Sequence, residues 1–200
     1  MPESASESAA GSTPEGASSP MRFLRAAGQA LLAQPRALAW LAPLAWATLI
    51  FWLSSSHGPV EDLPVIAVNS LMWNLAHPVV FGLLAVLVVP VLGRRGLGRA
   101  RWTAMTGIGA LWITAAVTLY GFTDELHQST VPGRDASLFD VLSDGVGAAC
   151  ALAMVVYLGR EDASRTGFGR RLLVGALLSL AAAALATAWD VRHGEGLWPF

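Results

Sequence analysis

Charged residues are missing from long stretches of this chain, and this limits its fold more than any other feature. Four stretches lack Asp, Glu, Lys and Arg: Ala37–Val60, Leu63–Gly93, Trp102–Thr123 and Leu172–Trp189. Each is close to or longer than the ~20 residues that an α-helix needs to cross a bilayer. Charged residues make up 14% of the chain, against roughly a quarter in soluble domains. The sequence therefore predicts an all-α, multi-pass membrane helical bundle.

A further span is predicted where polar residues mask the hydropathy pattern. Residues 138–158 have helical length and apolar content, although they include Asp140, Ser143 and Asp144. Cytoplasmic loops are enriched in Lys and Arg, and counting this segment as a span places 11 of the 13 arginines on one side. We expect five transmembrane helices, with a cytoplasmic N-terminus and an extracytoplasmic C-terminus. The expected spans are about 37–54, 74–92, 103–123, 138–158 and 172–189.

The remaining segments differ in composition. Residues 1–20 are small, polar or acidic and are predicted to be a disordered tail, because they cannot bury enough apolar surface to fold. Residues 21–36 combine arginines with Phe23 and several leucines, a pattern typical of a basic interfacial helix. A membrane domain is predicted over 37–158, and a basic cytoplasmic loop, the fifth span and a short outer tail over 159–200. The expected location is the cell membrane, in contact with lipid.

Polar side chains collect near the outer ends of the first four spans. The candidate functional residues are His77, Asp124, Glu125, Gln128, Arg134, Asp140 and Asp144. Asp124 and Glu125 end a predicted helix, where the macrodipole disfavours anions by ~0.3–1 kcal/mol each. We expect Arg134 to reach back to one of these two acids, because its planar guanidinium suits a carboxylate.

Asp140 and Asp144 are spaced by one helical turn, which places them on the same face. A carboxylate facing lipid would cost several kcal/mol, so both are expected to point into the bundle. There each is protonated, paired with Arg134 or His77, or reached by water. Asp135 and Ser137 precede this helix and are interpreted as N-cap or first-turn residues. The pattern predicts a polar cavity open to the outside.

These residues resemble the VanZ-like membrane proteins, a family named for a protein linked to resistance against the glycopeptide teicoplanin. Phe51-Trp52-Leu53-Ser54-Ser55-Ser56 is similar to the end of the family's first span, and Asn74-x-x-His77 is similar to its Lys-x-x-His motif. DELHQSTVPGRDASLFDVLSDGVGA, from Asp124 to Ala148, is similar to its most specific signature. The resemblance covers roughly Trp46 to Tyr157 and implies a membrane fold and a role in the cell envelope. Trp73 and Asn74 stand where the family usually has an acid and a lysine.

Three functions stay open for the outer residues. They form a structural network between spans, or they bind an anionic envelope lipid or precursor through Arg134, Gln128 and His77. Alternatively, they catalyse a reaction with Glu125 or Asp140 as general base and His77 or His127 as general acid. The sequence favours a non-enzymatic function, since no nucleophile elbow, HExxH or paired-cysteine motif occurs. We predict no metal site and no cofactor, because two carboxylates and scattered histidines are an unspecific pattern. A net charge of −1 argues against nucleic acid as a partner, and glycine and alanine faces are compatible with a homo-oligomer.

Overall fold

The long apolar stretches fold into helices. The computed structural model describes residues 19–56, 63–92, 105–132, 134, 136–160 and 162–193. Within these residues the chain forms helices and no β-strand, which confirms the all-α prediction. The six helices are α1 (Ser19–Ala33), α2 (Arg36–Ser54), α3 (Leu63–Leu92), α4 (Gly107–Gln128), α5 (Leu138–Leu158) and α6 (Arg165–His193). Most of the tail predicted at 1–20 lies outside the described residues.

Side-chain caps fix where two central helices begin. The Thr106 side chain accepts a hydrogen bond of 3.0 Å from the Gly109 N–H at the start of α4. The Ser137 hydroxyl accepts one of 3.2 Å from the Phe139 N–H at the start of α5, so its predicted N-cap role is confirmed. Asp135, the other candidate cap, is outside the described part of the chain. Such caps satisfy backbone donors that the first helical turn leaves without partners.

The centre of the bundle is α5, which contacts α3, α4 and α6. Glycines let it approach α3 closely: a Cβ added to Gly82 of α3 would lie 3.1 Å from the carbonyl oxygen of Gly147 in α5. Phe81, Ile113 and Leu152 fill the core beside this contact and are almost fully buried. Small residues at a helix crossing are a usual means of close packing in membrane bundles.

Within the part of the chain that the structure describes, four helices contain a segment long and apolar enough to cross a membrane: Arg36–Ser54, Ser70–Leu92, Leu138–Leu158 and Arg165–Trp189. Many of their outward side chains are exposed leucines, such as Leu41 in α2 and Leu173 in α6. Exposed apolar surface of this extent is expected where lipid, not water, surrounds the protein. These findings support a membrane protein with at least four candidate spans. Helix α4 has 22 residues and is not among the four.

Candidate functional site

Buried polar side chains gather at the end of the bundle where α2 and α4 finish and α5 begins. We call this group the polar cluster. Its members are Ser54, Asn74, His77, Asp124, Glu125, Gln128, Ser137, Asp140, Ser143 and Asp144. All except His77 have at most 7% of their surface exposed. Polar groups buried to this degree are stable only with hydrogen-bonding or charged partners.

His77 and Asp144 join α3 to α5. The His77 Nδ1 lies 2.9 Å from the Asp144 Oδ1, and the Asp144 side chain is fully buried. Gly121 of α4 lies against the same carboxylate, since a Cβ there would meet Asp144 Oδ2. The Asp144 side chain therefore points into the bundle, and of the partners that the sequence left open it contacts His77.

Asp124 joins α4 to α2. Its Oδ2 accepts hydrogen bonds of 2.8 Å from the Ser54 hydroxyl and 3.0 Å from Gln128 Nε2. Its Oδ1 is buried and has no hydrogen-bond partner among the described residues. Asp124 is therefore anchored through one oxygen, while the other remains available as an acceptor.

Glu125 joins α4 to the start of α5. Its side chain is fully buried, and Oε2 accepts a hydrogen bond of 2.8 Å from the Ser137 N–H. The other oxygen, Oε1, lies 3.4 Å from Gln128 Nε2, which is a long hydrogen bond. A backbone donor from the following helix thus stabilises this acid at the C-terminal end of α4.

Arg134 does not pair with Asp124 or Glu125, so this part of the prediction is wrong. Its Nη2 donates to the Leu53 carbonyl at 2.9 Å and its Nε to the Ser56 carbonyl at 3.0 Å. These carbonyls lie in the last turn of α2 and just beyond it, where helical carbonyls lack intrahelical donors and the macrodipole attracts a cation. The two acids instead receive their hydrogen bonds from Ser54, Gln128 and Ser137. The guanidinium also lies 5.8 Å from the centre of the Trp73 ring.

Two further residues noted in the sequence have structural partners outside the acid group. His127 Nε2 lies 3.0 Å from the Ser55 hydroxyl, and its ring stacks on Phe51 at 4.4 Å. Asn74 donates to the Thr187 hydroxyl of α6 at 3.0 Å. Both contacts connect neighbouring helices, and neither involves a carboxylate.

The structure brings together three potential metal ligands. Each of His77, Glu125 and Asp140 offers one ligand atom, and these three atoms lie within 4.8 Å of one another. The three residues come from α3, α4 and α5, so no spacing within the sequence reveals their proximity. Ser54 and Ser143 are also part of this buried group and were not singled out as candidates. Two sequence features point to these serines. Ser54 belongs to the Ser-Ser-Ser end of the first span, and Ser143 shares a helix face with Asp140 and Asp144.

A cavity of about 100 Å³ opens beside the polar cluster, between α2, α3 and α4. Part of its wall is apolar, and part is formed by cluster residues and Arg134. The lining residues are Ile50, Leu53, Ser54, Trp73, Ala76, His77, Val80, Phe81, Asp124, Gln128 and Arg134. Of the seven predicted site residues, four line this cavity, whereas Glu125, Asp140 and Asp144 lie outside its lining.

The chain matches the VanZ/LLP1 family over residues 13–159, which contain the whole polar cluster and end before α6. Comparisons with curated proteins and with solved structures give no match.

Proposed function

Since the chain belongs to the VanZ/LLP1 family, we propose that it binds an anionic component of the cell envelope in the cavity between α2, α3 and α4. By holding this component, the protein changes envelope properties and susceptibility to teicoplanin-type glycopeptides. The observation that carries the proposal is the cavity itself, because cluster residues and apolar side chains share its wall. A wall of this mixed character suits an amphiphile whose head group enters and whose chain stays in lipid.

The polar wall offers both a donor and an acceptor. Arg134 uses Nε and Nη2 on the carbonyls of α2, and Nη1 donates to none of the described residues. A guanidinium in this state favours a phosphate or carboxylate oxygen. Asp124 Oδ1 supplies a buried acceptor without a described donor. The ligand that fits both is an anionic head group that also carries a hydroxyl or amide.

The size of the cavity restricts what enters it. A site for one water needs roughly 10–15 Å³ of such volume, so about 100 Å³ accommodates several waters or a group the size of a phosphate. A complete lipid-linked saccharide is too large. The proposal is therefore that only the part of the ligand next to its apolar chain is bound.

We further propose that the cavity faces outward and that α4 is a fifth span. A helix rises 1.5 Å per residue, so 22 residues reach about 33 Å, enough for the hydrocarbon core. Five crossings leave arginine-rich segments on one side of the membrane, as the positive-inside rule requires. In this topology, the end of α2, the end of α4 and the start of α5 lie on the outer side.

Glycopeptide susceptibility tests the binding proposal. A sensitive bacterium expresses the wild type, Arg134→Gln or Arg160→Gln, and its growth is compared in teicoplanin and vancomycin at matched protein levels in the membrane. Arg160 is a control because it is exposed and its guanidinium is hydrogen-bonded to Asp162, whose pKa it lowers. We expect protection by the wild type and Arg160→Gln, and none by Arg134→Gln.

Three results count against the proposal. Protection by Arg134→Gln equal to the wild type contradicts a ligand held by this guanidinium. Lack of protection by the wild type contradicts the glycopeptide role. If Arg134→Gln protein is lost from the membrane and the remaining protein is fully active, Arg134 is only a structural tether between the loop and α2.

A membrane enzyme acting on an envelope lipid or its head group is the second candidate. The observation favouring it is the proximity of His77 to Glu125 and Asp140, which are groups able to transfer protons. Conversion of envelope lipids by the purified protein, detected by mass spectrometry and lost in Glu125→Gln, distinguishes catalysis from binding.

A further inference from the structure

We propose that His77, Glu125 and Asp140 form a binding site for one divalent transition-metal ion of the zinc type. This metal site is separate from the proposed binding of an envelope component. Metal binding can be measured without any such component. One nitrogen and two carboxylate oxygens are typical ligands for zinc, whereas magnesium and calcium prefer oxygen alone.

The spacing of the ligand atoms fits such an ion. Ligands at about 2.1 Å from a tetrahedral zinc lie roughly 3.4 Å apart, and the three atoms here lie within 4.8 Å of one another. Movement of each side chain by less than about 1 Å closes this difference, which is within ordinary side-chain adjustment. Three protein ligands leave a fourth position for water or substrate, as at catalytic zinc sites.

The hydrogen bonds around the site also orient its ligands. Asp144 engages Nδ1 of His77 at 2.9 Å, so Nε2 is the ring nitrogen left for a metal. A carboxylate behind a metal-binding histidine fixes its tautomer and raises its basicity. In Glu125, Ser137 occupies Oε2 at 2.8 Å, and only the long 3.4 Å contact from Gln128 reaches Oε1. Oε1 is therefore the oxygen available for coordination.

The balance of charge favours a bound cation. Four carboxylates are at most 7% exposed: Asp124, Glu125, Asp140 and Asp144. Among the described residues, His77 is the only basic side chain engaged with this group, since Arg134 contacts the carbonyls of α2. Several buried anions near one histidine are costly unless protons or a cation neutralise them. A divalent ion supplies two positive charges at the point where two of the acids meet the histidine.

A second observation points to a bound ligand near Asp140. Ser143 is fully buried, and its hydroxyl has no hydrogen-bond partner among the described residues. It lies three residues after Asp140, on the same face of α5. Buried hydroxyls of this kind usually contact an ordered water. Water on a metal in the triad is one such partner.

Metal binding to the purified chain tests the proposal. The protein is stripped with a chelator in detergent and titrated with Zn²⁺ by calorimetry, and a parallel sample receives Co²⁺ so that visible absorption reports the coordination geometry. We expect about one Zn²⁺ per chain. His77→Gln, Glu125→Gln and Asp140→Asn each weaken binding by ~100-fold or more, and Asp144→Asn weakens it by ~10–100-fold because it acts through His77.

Matched variants outside the triad separate metal binding from loss of structure. His127→Gln removes a histidine that contacts Ser55 and Phe51, and Asp162→Asn removes an exposed acid that pairs with Arg160 away from the polar cluster. Both are expected to bind Zn²⁺ like the wild type. Gel filtration and thermal unfolding without metal verify that every variant is folded. Equal affinity in folded triad variants and controls, or no saturable binding by the wild type, overturns the proposal.

Discussion

Replacing Gly147 by alanine places a methyl group into the contact between α3 and α5. The new Cβ would lie 2.6 Å from the carbonyl carbon of Pro78, and closer still to its Cα and oxygen. These are backbone atoms, so no side-chain rotation relieves the contact. Because carbon atoms prefer separations of about 3.5–4.0 Å, the two helices must move apart by roughly 1 Å.

The free energy of unfolding should fall by about 1–5 kcal/mol. Overpacking a close contact costs about 1–3 kcal/mol. Separation by about 1 Å also stretches the 2.9 Å contact between His77 and Asp144 beyond hydrogen-bonding distance, which costs about 1–3 kcal/mol for buried polar groups. The higher helix propensity of alanine returns about 1 kcal/mol. The sum leaves a clear loss of stability.

Unfolding by SDS in mixed micelles, followed by circular dichroism, measures this difference. Gly169→Ala is the matched control, since no atom lies within 4 Å of a Cβ added there, and we expect it to be neutral or slightly stabilising. Gly82→Ala should fall between the two, because its added Cβ would lie 3.1 Å from the Gly147 carbonyl oxygen. Unfolding of Gly147→Ala at the same SDS fraction as Gly169→Ala would refute a close helix contact at Gly147.

Two other predictions concern the end of α2 and the topology. Ser54→Ala removes the 2.8 Å hydrogen bond to Asp124 and should lower the free energy of unfolding by about 1–3 kcal/mol. Ser56→Ala loses only an exposed hydrogen bond to the Trp52 carbonyl and should leave the free energy of unfolding unchanged. Unfolding of both variants at the same SDS fraction would contradict this prediction. Alkaline phosphatase fused after Phe200 should be active, because the proposed topology of five spans places this residue outside the cytoplasm. Fluorescence of a green fluorescent protein at the same position, without phosphatase activity, would instead indicate a cytoplasmic C-terminus.

The helical architecture and the inward acids follow from the sequence because they depend on local rules. Stretches without charge predict helices in a membrane, and the four-residue spacing of Asp140 and Asp144 places both on one buried face. Ser137 is recognisable as a cap for the same reason, since capping involves residues two or three positions apart.

Contacts between distant segments were not predictable in the same way. From the sequence, Arg134 can pair either with one of two acids or with the free carbonyls at the end of α2. The sequence does not show that Ser54, Gln128 and Ser137 already donate hydrogen bonds to the acids. The proximity of His77, Glu125 and Asp140 depends on how three helices are arranged, and the close glycine contacts of α5 fix that arrangement. Such geometry becomes visible only when the helices are packed.

The contact between Asn74 and Thr187 shows that the packed bundle extends beyond the segment that matches the family. The family match ends at residue 159, yet Thr187 of α6 contacts Asn74 of the polar cluster. It also buries Ala183 and Ala186 completely. A truncation after residue 159 would uncover the faces of α3 and α5 that α6 now covers. The packed unit therefore includes a helix that lies outside the segment matched by the family.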